Sequence, residues 1–419
     1  MGWRQREGEA WAGDGALSER LGISGRAPRG TPARAVPAPQ EFRLDFALRP
    51  QAEWTVAAAH RGSGCMPSPA HCDPNLGGAG MRRAINPPNP FDALEREWLD
   101  APPPAALEVF EDTSRVILSE NTSPDLPFRW SINPYRGCFH ACAYCYARPT
   151  HEYLGFGAGT DFESKIVVKP RAAALLRDAF MRSSWHGETI VFSGNTDCYQ
   201  PLEAAWRLTR QCLEVCAEFR NPVGVITKSP LVRRDVDILQ ELHRKARVCV
   251  FFSIPFADDA IGRAIEPQAP PVSRRFEALA HLASAGIPTG VSLAPLIPGL
   301  NDDAIPRILE RARAAGAHRA QLQLLRLPGN VRPVFLEHLR AKLPDRARRI
   351  ENRIRDVRDG QWTDERFFAR QHGRGTYWDV VARQWELHTR RLGFEPGHNG
   401  KDPGQPTTFR RPTPQRSLF

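Results

Sequence analysis

The sequence predicts an α/β protein built on a parallel sheet, in the form of a partial, open TIM-like barrel of six βα units. Two observations support this fold class: short apolar strands alternate with amphipathic helices from about residue 129 onwards, and Gly and Pro residues mark several of the joins. Strand–helix alternation of this kind favours parallel strands connected by crossover helices. With 419 residues, the chain is long enough for one large domain or two modest ones.

The predicted elements follow one another in a regular order. The six strands are short apolar runs at residues 165–169, 189–193, 223–227, 248–254, 290–294 and 320–325. The helices are amphipathic runs at residues 172–182, 203–219, 235–245, 273–285, 304–315 and 334–342. Each helix therefore has an apolar side that can pack against the predicted sheet.

Composition divides the chain into five segments. Residues 1–83 are rich in Gly, Ala, Pro and Arg without periodicity, so they are predicted to be disordered, and an over-extended gene start is the preferred explanation. Residues 84–128 are predicted to precede the barrel, and residues 129–344 to form it. Residues 345–395 are predicted to be C-terminal helices, and residues 396–419 to be a Pro- and Arg-rich tail without structure.

Charge and cysteine content restrict the function classes. The net charge is +10, but only six of the 57 basic residues are Lys, a profile typical of a GC-rich coding sequence. The charge therefore permits a nucleic-acid partner without requiring one. No apolar run approaches the ~20 residues that span a bilayer, so no membrane partner is predicted. The nine cysteines are an odd number, which argues against a disulfide framework and favours a reducing cytoplasm.

The strongest functional pattern lies within residues 133–146. Cys138, Cys142 and Cys145 stand there in one tight loop with the spacing C-x3-C-x2-C. Three soft thiolates suit an iron–sulfur cluster, and a four-iron cubane held by three of them keeps one iron open to a ligand that is not protein. A zinc site and a simple electron-transfer cluster are the alternatives. Zinc ordinarily needs a fourth Cys or His; His140 lies inside the loop, but the chain has no second C-x2-C pair.

The cysteine spacing resembles that of the radical S-adenosylmethionine (SAM) superfamily. Four further phrases resemble an uncharacterised bacterial subfamily that is related to spore photoproduct lyase and described as DNA-repair-photolyase-like. These phrases are Asn133-Pro-Tyr-Arg-Gly, Tyr146-Ala-Arg-Pro-Thr-His-Glu-Tyr153, Asn195-Thr-Asp and Tyr199-Gln-Pro-Leu-Glu203. The resemblance covers about residues 82–395 and implies the same open barrel.

The resemblance implies two cofactors, a [4Fe–4S] cluster and SAM. In the family, SAM binds the open iron, and one electron cleaves it to a 5′-deoxyadenosyl radical that abstracts hydrogen from a substrate. The substrate is unknown here, and the electron donor is expected to be a protein such as flavodoxin or ferredoxin. Two other functions stay open: repair of a DNA lesion in the manner of spore photoproduct lyase, and a non-enzymatic role as a cluster-bearing scaffold or electron carrier.

The resemblance also implies which residues bind SAM, at the carboxyl ends of the strands. Tyr144 and Ile297 are expected at the adenine, and Ser253 at the ribose hydroxyls. The remaining candidates, for the amino and carboxylate groups of SAM, are Gly194, Asn195, Thr196, Lys228, Arg274 and Arg275. A turn, a strand-end charge or a helix-surface charge is the alternative interpretation for these six residues.

Two residues are candidates for the chemistry itself. Spore photoproduct lyases use a cysteine near this loop as a hydrogen-atom donor, and Cys198 is the candidate here, although it follows Asp197 and so differs in register from the family. Asp197 is the second candidate. Arg326, at the end of the last predicted strand, fits a site for an anionic substrate, but an ordinary structural charge is the preferred interpretation.

Overall fold

The computed structural model describes residues 107–395 and 407–412. The predicted disordered segment 1–83 lies outside the described residues, as do residues 84–106, 396–406 and 413–419. Within the described residues no helix is both long enough and apolar enough to cross a membrane.

Within these described ranges, ten strands form two sheets. The strands are β1 (Glu108–Glu111), β2 (Leu118–Glu120), β3 (Trp130–Ile132), β4 (Tyr135–Arg136), β5 (Lys165–Val168), β6 (Ile190–Phe192), β7 (Val223–Thr227), β8 (Val248–Ser253), β9 (Thr289–Leu296) and β10 (Arg319–Leu324). The large sheet has the order β10-β9-β8-β7-β6-β3-β2, and the small one has the order β1-β5-β4. In the large sheet β3 and β6 to β10 are parallel, and β2 pairs with β3 antiparallel. These six parallel strands confirm the predicted open (βα)6 barrel.

The strands are connected and followed by α-helices, several of which pack against the large sheet. The helices are α1 (Thr160–Ser164), α2 (Ala172–Met181), α3 (Glu203–Trp206), α4 (Leu208–Glu218), α5 (Val236–Lys245), α6 (Asp259–Ile265), α7 (Val272–Ser284), α8 (Ile305–Ala314), α9 (Val331–Lys342), α10 (Pro344–Asp356) and α11 (Gly375–Arg391). In α8, Ile305, Ile308 and Leu309 are buried at the spacing of one helix face. The strands β6 and β9 are buried along almost their whole length because helices cover the outer face of the barrel and the inner face lines its interior.

The first strand of the barrel differs from the prediction. The run at 165–169 forms β5, which pairs with β1 and β4 in the small sheet and not with the barrel. The barrel begins instead with β3, which pairs with β6 in parallel. With three residues, β3 is too short to show a period in the sequence, so its place in the barrel depends on its partner strand.

The predicted helix at 203–219 is divided into α3 and α4. Arg207 separates the two helices and adopts a left-handed conformation with φ +51°. The Glu203 carboxylate accepts the backbone N–H groups of Thr209 at 3.0 Å and Arg210 at 3.3 Å. A carboxylate satisfies the open N–H groups of a helix N-terminus well, so α4 begins there as a new helix.

Residues 407–412 lie in the tail for which no structure was predicted, yet they contact the barrel. The Phe409 ring centroid lies 5.7 Å from that of Phe180 and 6.0 Å from that of Phe219. The Nε of Arg411 donates to the Phe180 carbonyl at 3.0 Å. Phe409 lies in a Pro- and Arg-rich segment without hydrophobic periodicity, so this contact could not be predicted locally.

Candidate functional site

The three predicted cluster cysteines lie in one loop, residues 137–147, which we call the cluster loop. It follows β4 and leads into a 3-10 helix, Arg148–Leu154. Cys138 and Cys142 are buried, and Cys145 is partly buried in the same small apolar cluster as Cys138. In the described part of the chain, no three His, Cys, Asp or Glu side chains lie close enough to hold one metal ion. A four-iron cluster takes each thiolate on a different iron and therefore accepts more widely spaced cysteines.

The electrostatics of the thiols also fit a cluster. Burial raises the pKa of all three thiols above the ordinary value, with that of Cys138 reaching about 12. A thiolate in these positions needs positive charge beside it, which iron ions supply when they bind. The cluster loop is therefore a suitable holder for a [4Fe–4S] cluster with one iron not bound by protein.

Gly137 allows the chain to turn into the cluster loop. Its φ is +76°, a conformation that side chains disfavour. An added Cβ would lie 2.8 Å from Cε1 of His151. The ring of His151 is itself buried, with Nε2 2.8 Å from the Lys165 carbonyl oxygen. Both the backbone and the neighbouring ring thus require glycine at this position.

Arg148 supports the cluster loop through hydrogen bonds to its backbone. Its Nε and Nη2 donate to the Cys142 carbonyl at 3.1 and 2.9 Å. Nη1 donates to the Ala158 carbonyl at 3.0 Å, and Nη2 also reaches Glu163 at 2.5 Å. The guanidinium is completely buried, and its planar arrangement of donors holds the cluster loop in one shape.

The segment that follows α6 contacts the cluster loop from the other side. The Ala143 N–H donates to the Ile265 carbonyl at 3.0 Å, and the Gln268 N–H donates to the His140 carbonyl at 3.3 Å. Between these two backbone bonds lies Glu266, which is completely buried.

Glu266 joins three of the predicted SAM-binding residues. Its carboxylate accepts hydrogen bonds from the Tyr144 hydroxyl and, at 2.5 Å, from Nη2 of Arg275. The Lys228 ammonium lies 3.9 Å from the same carboxylate and 5.7 Å from the centre of the Tyr144 ring. Burial by itself would raise the pKa of Glu266, but the two cations and the hydrogen bonds lower it below the usual value. The carboxylate is therefore charged at neutral pH.

Arg275 differs from the expectation that it binds the SAM carboxylate. Its Nε donates to the Pro270 carbonyl at 2.9 Å and its Nη1 to the Ser253 carbonyl at 3.1 Å. Because Nη2 is bound to Glu266, all three nitrogens are engaged by protein groups. Arg274 is exposed and pairs with Glu277.

Lys228 is less enclosed than Arg275. Its side chain is 16% exposed, against 1% for that of Arg275. Burial opposes its charge, but the nearby Cys142 and Glu266 hold the pKa of Lys228 above its ordinary value. The amine is therefore a cation beside the cluster loop.

The loop after β6, which contains Gly194 and Asn195, packs against the cluster loop. The Gly194 carbonyl accepts the Tyr146 hydroxyl at 2.6 Å, and an added Cβ at position 194 would lie 2.8 Å from the Cβ of Ser131. The Asn195 N–H donates to Oδ1 of Asn133 at 2.9 Å. At Gly194 the backbone therefore lies closer to Ser131 of β3 than a side chain would permit.

Thr196 and Asp197 connect this loop to its neighbours. The Thr196 hydroxyl donates to a β4 carbonyl at 2.8 Å. Asp197 accepts the Thr227 hydroxyl and the Lys228 N–H, each at 2.7 Å, and lies 3.4 Å from Nδ1 of His140. These bonds hold Asp197 in place at the ends of the strands, and its part in catalysis stays a prediction.

His140 is the least expected member of this group. It is 1% exposed, and burial lowers its pKa to about 4, so the ring is neutral at pH 7. The Nδ1–H then points to Asp197, while Nε2 is buried with no partner among the described residues. The sequence showed His140 only as a residue between two cysteines.

Cys198 is completely buried in the main apolar core. Its N–H donates to Oγ of Ser193 at 2.8 Å, and its carbonyl accepts the Thr209 hydroxyl at 2.6 Å. Burial raises the pKa of its thiol well above the usual value. A hydrogen-atom donor must reach its substrate, so this placement does not favour the predicted redox role.

Ser253 and Ile297 lie at the same edge of the sheet as the cluster loop, as predicted. Ser253 ends β8, and its hydroxyl donates to the Ala294 carbonyl at 3.2 Å. Ile297 follows β9 directly, and its N–H donates to Oδ1 of Asn301 at 2.7 Å. The structure therefore brings both predicted residues to the carboxyl ends of the strands.

Sequence reasoning missed the supporting roles of Arg148, Glu266 and His140. Each acts through contacts with residues at least six positions away, such as Cys142 for Arg148 and Tyr144 for Glu266. A buried acidic residue near a cysteine loop shows no local pattern, because its partners lie on other elements.

Comparison with known proteins agrees with this geometry. The sequence profile of the radical SAM superfamily matches residues 132–312. An uncharacterised protein of Mycobacterium tuberculosis strain H37Rv is 38% identical over 213 residues, which are 50% of this chain and 63% of that protein. The alignment thus spans less than two thirds of that relative.

Two more distant similarities involve named proteins. A radical SAM Nα-GlyT isomerase of Pseudomonas phage M6 is 24% identical over 219 residues, covering 51% of this chain and 43% of the isomerase. A solved structure of a spore photoproduct lyase mutant with bound AdoMet and dinucleoside spore photoproduct has a TM-score of 0.46 and 17% identity, covering 70% of this chain and 80% of that one. The similarity to the radical SAM superfamily thus extends from the end of β3 into α8, over residues 132–312 of this chain.

Proposed function

We propose that this protein is a radical SAM enzyme that uses SAM and a [4Fe–4S] cluster to abstract hydrogen from a substrate. One observation supports this most directly: buried Glu266 holds Tyr144 and the Lys228 ammonium together beside a loop with three cysteines. An aromatic ring, a cation and three thiols are the groups that SAM and its cluster need at one place.

In this proposal each group has a distinct task. Cys138, Cys142 and Cys145 hold the cluster, Lys228 pairs with the SAM carboxylate, and the Tyr144 ring lies against the adenine. When they are bound, the cluster and SAM together supply one-electron cleavage of the sulfur–C5′ bond and a 5′-deoxyadenosyl radical. The chain's own residues orient the cofactor and exclude water. Arg148 contributes because it is completely buried and binds the Cys142 carbonyl of the cluster loop.

The electron must come from outside the chain. Radical SAM enzymes need a reductant, and we propose a flavodoxin or ferredoxin for this role. The nucleic-acid partner that the charge of +10 permits stays a prediction.

The test is SAM cleavage by anaerobically reconstituted protein reduced with dithionite, followed as 5′-deoxyadenosine. We expect wild type and Cys249→Ala to produce it, because Cys249 lies in β8 away from the cluster loop. Cys142→Ala should lose both the cluster and the product. A wild-type protein with a reducible cluster that neither cleaves SAM nor changes its spectrum with SAM would contradict the proposal and favour an electron carrier or scaffold.

A further inference from the structure

We propose that the barrel carries a peptide-binding site at the amino ends of β6 and β7, and that the chain's own residues 407–411, Thr-Thr-Phe-Arg-Arg, are its ligand. We call these residues the docking segment. Gly187 precedes β6, whereas Gly194, which contacts the cluster loop, follows this strand. The peptide site therefore lies at the opposite edge of the sheet from the candidate SAM site, and the inference does not depend on the proposed function.

Two helices end at this edge of the sheet. α2 ends at Met181 and α4 at Glu218, and the rings of Phe180 and Phe219 lie 5.3 Å apart, so the two helix ends meet. The last four carbonyls of a helix have no partner within it, and they carry the negative end of the helix dipole. This place therefore offers several hydrogen-bond acceptors and favours a ligand with donors and positive charge.

The Arg411 guanidinium supplies both donors and charge. Its Nε donates to the Phe180 carbonyl at 3.0 Å. Its Nη2 donates to the carbonyls of Arg182 at 2.5 Å and Trp185 at 2.9 Å. Three acceptors around one planar group match the fork of donors that an arginine presents and a lysine does not. The end of α2 therefore favours an arginine in the ligand.

Phe409 packs into an aromatic cluster beside these carbonyls. Its ring stacks on Phe219, with centroids 6.0 Å apart, and meets Phe180 edge-on at 5.7 Å. Phe180 in turn stacks on Trp185 at 5.4 Å. Stacked and edge-on pairs are the arrangements that aromatic rings prefer. The cluster therefore favours an aromatic side chain two positions before the arginine.

The two threonines of the docking segment bind the loops before β6 and β7. The Thr407 hydroxyl donates to the Gly187 carbonyl at 2.7 Å, and the Thr408 hydroxyl donates to the Arg220 carbonyl at 2.8 Å. As with Arg411, the donors belong to the segment and the acceptors are backbone carbonyls of the barrel. The barrel thus presents acceptors in a fixed pattern that the docking segment matches.

Gly187 gives the docking segment the room to approach. Its φ is +77°, and an added Cβ would lie 2.1 Å from the Cβ of Phe409 and 2.5 Å from Oγ1 of Thr407. Gly155 has a similar φ of +75°, but an added Cβ there would meet nothing within 4 Å. Glycine at position 187 therefore serves the contact with the segment as well as the local turn.

The chain's own segment is the preferred occupant because it is tethered within reach of the site. Glu395 pairs with Arg319 at the start of β10, which lies four strands from β6, or about 20 Å at the usual strand spacing. Eleven residues, 396–406, separate Glu395 from Thr407, and that many residues span at most about 40 Å. A tethered ligand meets its site at a far higher local concentration than a free peptide.

The test is fluorescence anisotropy of a labelled peptide of residues 406–413 titrated with the full-length, reconstituted protein. We expect wild type to bind the peptide weakly, because its own docking segment occupies the site. Full-length Phe409→Ala, whose own segment lacks the ring, should bind the peptide at least about tenfold more tightly. Arg411→Gln is a second acceptor, with the ring in place, and should bind the peptide more tightly than wild type as well.

Two matched pairs of changes examine the contacts. In the peptide, Arg411→Gln should weaken binding about tenfold or more, whereas Arg410→Gln should not, because Arg410 binds the barrel through its backbone N–H. In the acceptor, adding Gly187→Ala to Phe409→Ala should abolish binding, and adding Gly155→Ala should leave it unchanged. Urea unfolding of the acceptors shows whether each variant is folded.

The outcomes separate the site from its occupant. Equal affinity of wild type and Phe409→Ala for the peptide would overturn the assignment of the chain's own segment as the ligand. No binding by any acceptor, or binding that Gly187→Ala leaves unchanged, would overturn the site itself. A protein that binds the peptide as expected but never cleaves SAM would refute the proposed function and retain the peptide site.

Discussion

At the residue scale, Glu266 shows how one buried carboxylate organises several groups of different chemistry. It accepts the Tyr144 hydroxyl, forms an ion pair with Arg275 at 2.5 Å, and lies 3.9 Å from the Lys228 ammonium. Removing one partner of a buried ion pair leaves the other charge without compensation, which usually costs several kcal/mol. The positions of Lys228 and Tyr144, the two residues proposed to contact SAM, therefore depend on Glu266.

We expect Glu266→Gln to lower the free energy of unfolding by about 3 kcal/mol, because Arg275 stays buried without a counter-ion. SAM affinity should also fall, since Lys228 and Tyr144 lose their common partner. Urea unfolding and equilibrium dialysis with labelled SAM measure the two effects. Glu277→Gln, which breaks an exposed pair with Arg274, should change stability by less than about 1 kcal/mol. Equal stability of the two variants would rule out this role for Glu266.

At the element scale, the cluster loop takes its shape from the elements around it. Gly137 begins it with a positive φ, and Arg148 holds its middle through the Cys142 carbonyl. The segment after α6 binds it through the Ala143 N–H. A loop without regular secondary structure can place its ligands accurately only when its backbone groups are bound in this way.

Two glycines allow a matched test of this loop. Gly137 and Gly155 have φ values of +76° and +75°, so an alanine costs about 1 kcal/mol of backbone strain at either position. Only at position 137 does the added Cβ meet another side chain, that of His151 at 2.8 Å, whereas nothing lies within 4 Å at position 155.

We therefore expect Gly137→Ala to lose iron on reconstitution and to be the less stable variant, while Gly155→Ala retains its iron. Iron content per chain and urea unfolding check the two expectations. If both variants kept full iron content, the close contact between position 137 and His151 would have no part in shaping the loop.

At the scale of the whole molecule, Asp125 connects distant parts of the chain. It lies between β2 and β3, and it accepts hydrogen bonds from the Phe368 N–H at 3.0 Å and from Arg370 at 2.6 Å. The carboxylate side chain is 2% exposed. Burial raises its pKa, but the bonds to Arg370 and Phe368 outweigh this effect and bring the pKa below the usual 3.8.

This shift predicts a pH-dependent contribution to stability. Because the folded-state pKa of Asp125 lies below its unfolded value, the contribution is complete above about pH 4 and is lost as the pH falls through the folded-state value. We expect Asp125→Asn to cost about 2 to 3 kcal/mol at pH 7 and progressively less in acid. Urea unfolding at pH 7, 5 and 3 measures this.

Asp356→Asn serves as the control, because Asp356 is exposed and pairs with Arg353 on the same helix. It should change stability by less than about 1 kcal/mol at every pH. A stability difference between wild type and Asp125→Asn that stays constant from pH 7 to pH 3 would contradict the assignment.

Much of the barrel could be predicted because its signals are local. Five of the six predicted strands lie in the parallel sheet, since apolar runs such as 223–227 and amphipathic helices such as α8 show their period within a few residues. The sequence did not indicate that the first strand of the barrel is β3 and not β5, because this difference depends on contacts that are not local. Which strand pairs with β6 is a long-range choice, and three residues carry too little pattern to indicate it.

The sequence by itself determined the cysteine loop, because the spacing of Cys138, Cys142 and Cys145 is a property of one short segment. It also determined the alternation of strands and helices that makes a parallel barrel. Only the tertiary structure decided which charges meet. The contacts of Tyr144 with Glu266 and of Arg370 with Asp125 join residues 122 and 245 positions apart. Such pairs depend on how helices and strands pack, so no local pattern of residues can specify them.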